Sequence, residues 1–366
     1  AAALVAVTGA RAADAVVLPE PEAVEYVRVC DMYGAKFFYI PGTETCLAIS
    51  GYVRYRIDAA SGRNYLTKNA RVRVNFDVRS ETELGMLQGY VRIQNGGWDA
   101  QNQILTVNNT AGTAVGTASL GGDGVAYFDQ AWLALGGLVM GYTESFWSDS
   151  KNGGASNYGS HTDTGLGYGY LQGNLIGYRF GGSEGFFGAV SVEDDGNSNF
   201  VPDFVGKVGY EGGWGVAWAQ VGYDEDVAPA LAAWRGARAA GLSGVDGWAG
   251  KLGLTLNIPN APGSSLRLQG FYANNANRFS TQVGGRWSIL ASYGQAFSPK
   301  LFASVGVQYI GDTNYAAAGN PSAWKVEGQV VVTPVTNFEI RAEISHTKPS
   351  ASRGTTQGFL WFQRSF

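Results

Sequence analysis

Residues 47–79 read LAISGYVRYRIDAASGRNYLTKNARVRVNFDVR, and this stretch decides the fold. It contains two runs in which apolar side chains alternate with polar or cationic ones, the first around Val53 and the second around Val74. A period of two places successive side chains on opposite faces of a β-strand. Two folds accommodate such strands: a soluble sandwich with a dry apolar core, or a barrel with lipid on its apolar face and water on the other.

The composition favours one large antiparallel sheet. The chain of 366 residues has 53 glycines, 13% aromatic residues and only 15% charged residues, whereas an average protein carries about 25% charged residues. No uninterrupted apolar run reaches the roughly 20 residues that a membrane-spanning helix requires, so we exclude a helical membrane protein. The formal charge of −4 gives no reason to expect nucleic acid as a partner.

The N-terminal part of the sequence indicates export. Residues 1–12 are typical of the end of a secretory signal, with an A-x-A cleavage site at residues 10–12. An ordinary flexible terminus is the alternative. Cys30 and Cys46 are the only two cysteines. Because an even pair that closes a short loop suits an oxidising compartment, we expect a disulfide worth roughly 3 kcal/mol.

Alternating runs recur along the chain and predict sixteen strands. We place them at residues 46–58, 69–80, 85–95, 124–136, 137–144, 171–182, 185–193, 203–211, 213–224, 245–258, 263–275, 284–297, 299–311, 323–333, 337–348 and 356–366. Every second connection is a tight turn, such as residues 81–83, and the connections between are long, such as residues 96–123 and 145–169. Up-and-down membrane barrels have this alternation of short and long connections. A Greek-key sandwich is not expected to show it, because its connections cross between sheets.

This alternation of connections therefore predicts an all-β, sixteen-stranded antiparallel transmembrane β-barrel over residues 46–366, with short periplasmic turns and long external loops. Residues 13–45 then form a periplasmic N-terminal segment that carries the disulfide. An even number of strands lets the first strand pair with the last, which leaves no open edge in lipid. Aromatic residues beside the tight turns, where a girdle at the membrane boundary is expected, are Phe180, Phe186, Tyr210, Trp214, Phe297 and Phe338.

The polar face of the first three strands is rich in arginine. The residues on this face, which we call the arginine wall, are Arg54, Arg56, Arg71, Arg73 and Arg92. Five guanidiniums are too many to bury in a dry core, whereas the water-filled lumen of a wide barrel keeps them hydrated. The solvated face of a soluble sheet is the alternative. Further round the barrel, the inward positions that we expect to be ordinary lumen lining are Arg179, Lys251, Arg267, Lys325, Glu339, Arg341 and Glu343.

The sequence gives little support to catalysis or metal binding. A Ser-His-Asp arrangement needs a histidine, and the two histidines, His161 and His346, are interpreted more simply as solvated polar residues. Two cysteines supply too few ligands for a metal site. We therefore expect neither an enzyme nor a cofactor.

Four segments carry a family resemblance: residues 19–31 (PEPEAVEYVRVCD), 38–47 (FYIPGTETCL), 51–55 (GYVRY) and 362–366 (FQRSF). They resemble the major outer-membrane porins of Brucella, rhizobia and related alphaproteobacteria. The resemblance implies a homotrimeric, sixteen-stranded channel that passes small hydrophilic solutes by diffusion. It also implies outer-membrane lipid, lipopolysaccharide and the barrel-assembly machinery as partners.

In porins of this kind, the third external loop folds into the barrel and narrows it. Here that loop follows the fifth strand, and we expect Glu144, Asp149 and Asp163 to face the arginine wall from it. Opposite charges across a narrow channel create a transverse field that filters solutes by size and charge. We expect Phe146 and Trp147 to pin the loop against the inner wall. A loop that projects outward is the alternative.

Two hypotheses of function follow. The first is a passive outer-membrane channel whose constriction lies between the arginine wall and the third-loop acids. The second is a secreted or surface β protein that binds carbohydrate or a host ligand through its long loops. The position of the apolar side chains separates them, because valines on the outside of a closed barrel favour the channel and valines in a dry interior contradict it.

Overall fold

The computed structural model describes residues 28–34, 36–64, 66–95, 103–108, 114–120, 126–148, 166–167, 170–194, 201–225, 246–280, 283–314 and 319–366, with the backbone alone for 103–108 and 114–120. The expected signal remnant, residues 1–12, lies outside this part of the chain. Among the described residues, no helix is long and apolar enough to cross a membrane.

Alternating sequence becomes strand along almost the whole described chain. A short 3-10 turn, Asp31–Tyr33, comes first. The strands that follow are β1 Phe38–Tyr39, β2 Cys46–Ala60, β3 Thr67–Thr82, β4 Gly85–Asn95, β5 Gln103–Asn108, β6 Ala114–Leu120, β7 Ala126–Leu135, β8 Leu138–Glu144, β9 Gln172–Gly181, β10 Gly185–Glu193, β11 Asp203–Gly212, β12 Gly215–Asp224, β13 Gly247–Asn257, β14 Ser265–Ala273, β15 Trp287–Ser298, β16 Leu301–Gly311, β17 Ala323–Val335, β18 Phe338–Pro349 and β19 Thr355–Ser365.

Sixteen of these strands, β2–β4 and β7–β19, form one closed antiparallel barrel. Each strand pairs with the next along the barrel, and β19 returns to pair with β2, with Phe362 opposite Tyr55. Closure gives every barrel strand a hydrogen-bonded partner strand on both sides. The sixteen-stranded barrel is therefore confirmed.

The long connection at residues 96–123 is different from our expectation. It contains a hairpin of its own, β5 and β6, which pair with each other in a separate two-stranded sheet. The alternation of short and long connections between barrel strands could not predict this hairpin, because its two strands do not join the barrel. The segment before the barrel likewise contains β1, which pairs with the start of β2.

The apolar faces of the barrel strands point outward. Val53 and Val72 are 50% and 43% exposed, whereas Arg56 and Arg71 on the opposite face are only 3% and 8% exposed. The aromatic girdle is also on the outside, with Phe186 79% exposed beside its tight turn. This arrangement is that of a membrane barrel with a polar interior, and it contradicts the soluble sandwich.

The seam between β19 and β2 has an additional cover. The last residue, Phe366, exchanges two backbone hydrogen bonds of 3.0 Å with Gly51, so that β2 continues beyond the end of β19. β1 pairs with this protruding part of β2 at Leu47 and Cys46. A disulfide joins Cys30 to Cys46, as expected, and fixes the N-terminal segment to the first barrel strand.

Candidate functional site

The register of β2, β3 and β4 brings the arginine wall together. Arg54 lies directly opposite Arg71, and Asn75, two positions after Arg73, lies opposite Arg92. All five arginines are on the inner face, as the alternation predicted. Adjacent strands lie about 4.8 Å apart, so these guanidiniums share one side of the lumen.

Aromatic rings on the inner face of β19 support part of the wall. The Arg54 guanidinium lies 3.8 Å from the centroid of the Trp361 ring and donates from Nε and Nη2 to Oε1 of Gln363 at 2.8 and 2.6 Å. Arg341 approaches the same indole at 4.7 Å. Cation–π contacts of this kind stabilise and orient a guanidinium, so the wall has a fixed geometry.

Arg56 is held more deeply than Arg54. Its Nε donates to Oδ1 of Asp58 at 2.6 Å, and its guanidinium lies 4.0 Å from the centroid of the Phe359 ring. Arg71, on the neighbouring strand, is also buried. These two arginines therefore contribute charge from within the wall rather than a freely moving side chain.

Asp129 on β7 is an acidic neighbour of two arginines of the wall. Its Oδ2 lies 3.4 Å from Nη1 of Arg92 and 3.9 Å from Nη2 of Arg73. Gln94 connects the same groups, because it donates to Oδ1 of Asp129 at 3.0 Å and accepts from Arg73 at 2.6 Å. The carboxylate is buried and lies between two guanidiniums.

Sequence reasoning missed Asp129 because of a β-bulge. Arg92 pairs with Gln130 and Ile93 pairs with Phe128, so that Asp129 is the extra residue of β7. Strict alternation would place Asp129 on the lipid face, opposite to Gln130, whereas the bulge turns both side chains inward. The signal in the sequence was the charge itself, since a carboxylate on the lipid face is costly.

The predicted third-loop acids have different outcomes. Glu144 is the last residue of β8 rather than part of the loop; its Oε1 lies 3.9 Å from Nη1 of Arg92 and accepts a hydrogen bond from the Tyr170 hydroxyl at 3.2 Å. Burial and then the charge of Glu144 raise the pKa of Tyr170, so the hydroxyl remains a donor. Asp149 and Asp163 lie outside the described residues, and their role stays a prediction.

The described start of the third loop is inside the barrel. Phe146 and Trp147 are fully buried, as expected for residues that pin the loop. The backbone N–H of Phe146 donates to Oε1 of Glu193 at 3.1 Å, and its carbonyl accepts from Gln220 at 2.8 Å. The ring packs on Gly177, where a Cβ atom would come within 2.5 Å of it, so only glycine allows this approach.

Lys251 holds the same part of the loop, whereas we expected only ordinary lumen lining. It is only 2% exposed, its Nζ donates to the Trp147 carbonyl at 2.6 Å, and the ammonium lies 4.2 Å from the centroid of the indole. The inward position on β13 was predicted correctly. Its burial was not, because the cover comes from a loop about a hundred residues earlier in the chain.

The described end of the third loop contacts a different part of the wall. The backbone N–H of Leu166 donates to Oε2 of Glu327 on β17 at 3.1 Å. Gly167 and Gln308 on β16 exchange two hydrogen bonds of 3.1 Å. The described start of the loop therefore lies against β10, β12 and β13, and its described end lies against β16 and β17. The inward-folded loop is therefore confirmed at its described ends.

A second inward segment, between β14 and β15, packs behind the third loop. Phe279 is fully buried, with its ring centroid 5.0 Å from that of Trp147. Arg278 fixes this segment through Asp203 at 2.8 Å and Glu193 at 3.6 Å. Nothing in the local sequence pattern indicated this packing.

Across the described part of the chain, no group of three or more His, Cys, Asp or Glu residues is arranged to hold a metal ion.

Comparisons with known proteins agree with this architecture. The sequence matches the family described as "Porin subfamily" over residues 14–358. Porin Omp2b of Brucella neotomae is 34% identical over 394 residues, covering 100% of this chain and 97% of the relative. Porin Omp2a of Brucella melitensis biotype 1 is 35% identical over 403 residues, with the same coverage.

Solved structures share the fold at low identity. In-vitro folded OmpT of Vibrio cholerae, in its trimer form, has a TM-score of 0.60 at 13% identity and covers 88% of this chain and 100% of its own. An anion-selective porin from Comamonas acidovorans has a TM-score of 0.56 at 13% identity with the same coverage. Since the family match and the Brucella relatives extend over nearly the whole chain, this protein belongs to that porin family and is a β-barrel channel of the bacterial outer membrane.

Proposed function

We propose that this porin passes small hydrophilic solutes and ions by passive diffusion through a constriction between the arginine wall and the third loop. In this proposal Asp129 and Glu144 are the described acids of the constriction, and Asp149 and Asp163 add further negative charge from the loop. The positive wall raises the local concentration of anions, so anions pass more readily than cations.

One observation carries the proposal: five arginines lie on the inner face of three adjacent strands, and the described ends of the third loop lie inside the same barrel. A charge that lies on a channel wall at a narrow point acts on solutes at short distance, where screening by salt is weakest. The stacked and hydrogen-bonded guanidiniums of Arg54 and Arg56 keep their positions. A fixed charge array of this kind filters solutes without binding them tightly, which suits diffusion.

We also propose a homotrimer in outer-membrane lipid, with lipopolysaccharide around it and insertion by the barrel-assembly machinery. Support for the trimer comes from the OmpT structure, which is described as a trimer form. Support for anion preference comes from the arginine wall together with the Comamonas acidovorans porin, which is described as anion-selective. The second hypothesis, a surface protein that binds carbohydrate or a host ligand, is not favoured, because the apolar faces are on the outside.

The test is the reversal potential of the purified protein in a planar bilayer under a KCl gradient. Arg73→Glu replaces a positive by a negative charge on the wall. One unit charge at about 4 Å in water interacts with an ion by about 1 kcal/mol, which corresponds to roughly fivefold in the permeability ratio. We therefore expect a shift towards cations of at least about fivefold for this variant.

A matched control is Lys68→Glu, which makes the same charge change on the outward face of β3, where Lys68 is exposed. It should leave the reversal potential close to that of the unmodified protein. An Arg73→Glu protein that conducts with an unchanged reversal potential contradicts the proposed constriction. If the unmodified protein does not conduct ions at all, the proposal that it is a channel is contradicted.

A further inference from the structure

An apolar groove lies on the outer, lipid-facing surface of β15–β18. Its volume is about 480 Å³. The short side chains of Ala303, Gly328 and Ala342 leave a depression between larger outward side chains such as Phe297 and Ile344. Such a depression would remain partly empty unless a flexible apolar chain filled it, and unfilled space forfeits dispersion contacts.

The groove is in the half of the barrel that ends in tight turns. Phe297 is the second-last residue of β15, and Ala303 is the third residue of β16, directly after the turn that joins them. Tight turns mark the periplasmic end of such barrels. A molecule in this groove therefore belongs to the periplasmic leaflet, which contains glycerophospholipids.

Two cations lie at the periplasmic end of this region, one in the turn between β15 and β16 and the other on β19, which pairs with β18. Nζ of Lys300, in the turn between β15 and β16, donates to the Pro334 carbonyl at 3.1 Å. Nη1 of Arg364, on β19, donates to the Asn337 carbonyl at 3.4 Å. Pro334 is the second-last residue of β17 and Asn337 is the last residue of the turn that follows it, so the two exposed cations reach backbone carbonyls on either side of this turn.

Two other tight turns at this end of the barrel carry acidic residues. The turn after β3 contains Glu83, with Glu81 just before it, and the turn after β9 contains Glu184. The pair of cations below the groove therefore differs in charge from these two turns and favours an anionic group at this place. A lipid fits this arrangement if its phosphate lies at the level of the two cations and its acyl chain extends from there along the groove towards the middle of the membrane.

We propose that an anionic glycerophospholipid of the periplasmic leaflet binds this site, with one acyl chain in the groove and its phosphate at Lys300 and Arg364. The inference goes beyond the proposed channel function, since the site is on the outside of the barrel. A second copy of the chain fits less well, because two concave surfaces do not complement each other.

The experiment is native mass spectrometry of the full-length protein in detergent with equimolar phosphatidylglycerol and phosphatidylethanolamine. The unmodified protein is expected to retain one phosphatidylglycerol in preference to phosphatidylethanolamine. In the double variant Lys300→Gln/Arg364→Gln, retention should fall by about fivefold for each cation. Lys36→Gln, which removes an exposed cation of the N-terminal segment, is the matched control and should retain the lipid.

A second pair of variants tests the groove itself. Gly328→Phe fills it, and the new Cβ atom would lie 3.9 Å from the nearest atom, the Ser304 carbonyl oxygen, so the strand can accept it. Gly206→Phe places the same side chain on β11, where the nearest atom is 3.6 Å away. The first should lose phosphatidylglycerol and the second should keep it, while channel conductance stays the same in both.

Three results would overturn the proposal. Equal retention of the two lipids would show that the cations do not select the headgroup. Unchanged retention in both the double variant and Gly328→Phe would place any bound lipid elsewhere. A changed oligomeric state in Gly328→Phe would identify the groove as a contact between copies instead.

Discussion

Replacing Lys251 by methionine should release the start of the third loop. Methionine keeps most of the volume and flexibility of the lysine side chain but removes the donor that holds the Trp147 carbonyl at 2.6 Å. It also removes the ammonium that lies 4.2 Å from the centroid of the Trp147 ring. Because methionine fills the space, the change tests the polar anchor rather than a cavity.

The expected size follows from the contacts. A hydrogen bond from a charged group contributes about 1.5–3 kcal/mol, and a desolvated cation–π contact contributes up to about 2 kcal/mol. Gln220 still donates to the same carbonyl at 3.4 Å, and the variant no longer buries an ammonium, so the lower end applies. About 1.5 kcal/mol corresponds to roughly a tenfold larger population of the undocked loop.

Single-channel recording is the assay, because an undocked loop changes the width of the lumen. We expect the frequency of current fluctuations in Lys251→Met to rise by about tenfold. The barrel itself should remain folded, which is checked by a difference in SDS gel migration between unboiled and boiled samples. Lys325→Met, which removes a charge from an inner position of β17, is the matched control. A folded Lys251→Met protein with the fluctuations of the unmodified channel would refute the anchoring role.

Two further predictions concern the wall and the N-terminal segment. Asp129→Asn removes the carboxylate between Arg92 and Arg73, so the reversal potential in a KCl gradient should shift towards anions by roughly fivefold; a shift towards cations would contradict it. Cys30→Ser removes the bridge to Cys46, whose two cysteines are 16 residues apart, at a cost of about 3 kcal/mol. Hydrogen exchange in residues 28–47 should become faster while conductance is kept, and unchanged exchange would argue against the predicted stabilisation.

The strands and their orientation were predictable because they depend on local pattern. Alternation around Val53 and Val72 fixed the lipid face, and the arginines followed on the other face without further information. The parity of short and long connections then selected a closed barrel. The alternation of short and long connections did not predict β5 and β6, because a hairpin inside a connection leaves the number of barrel strands unchanged.

The contacts that complete the site were not predictable from local pattern. Asp129 points inward only because β7 contains one extra residue at the bulge. The two-residue alternation of apolar and polar side chains does not reveal such a bulge. Lys251 is buried only because the loop that begins more than a hundred residues earlier rests on it. Such contacts depend on where a loop finishes after the barrel has closed, which the spacing of apolar residues does not encode.

The seam of the barrel has a consequence for assembly. β2 extends past Phe366, and an uncovered strand edge is a template on which an extended segment of another molecule can add. β1 fills this place within its own molecule, and the covalent bond between Cys30 and Cys46 prevents it from leaving. Under reducing conditions the tether would be lost, and neighbouring molecules would then compete for the vacated edge. We predicted a periplasmic position for this segment. In such an oxidising compartment the bond stays closed, and neighbouring barrels are then expected not to exchange strands with one another.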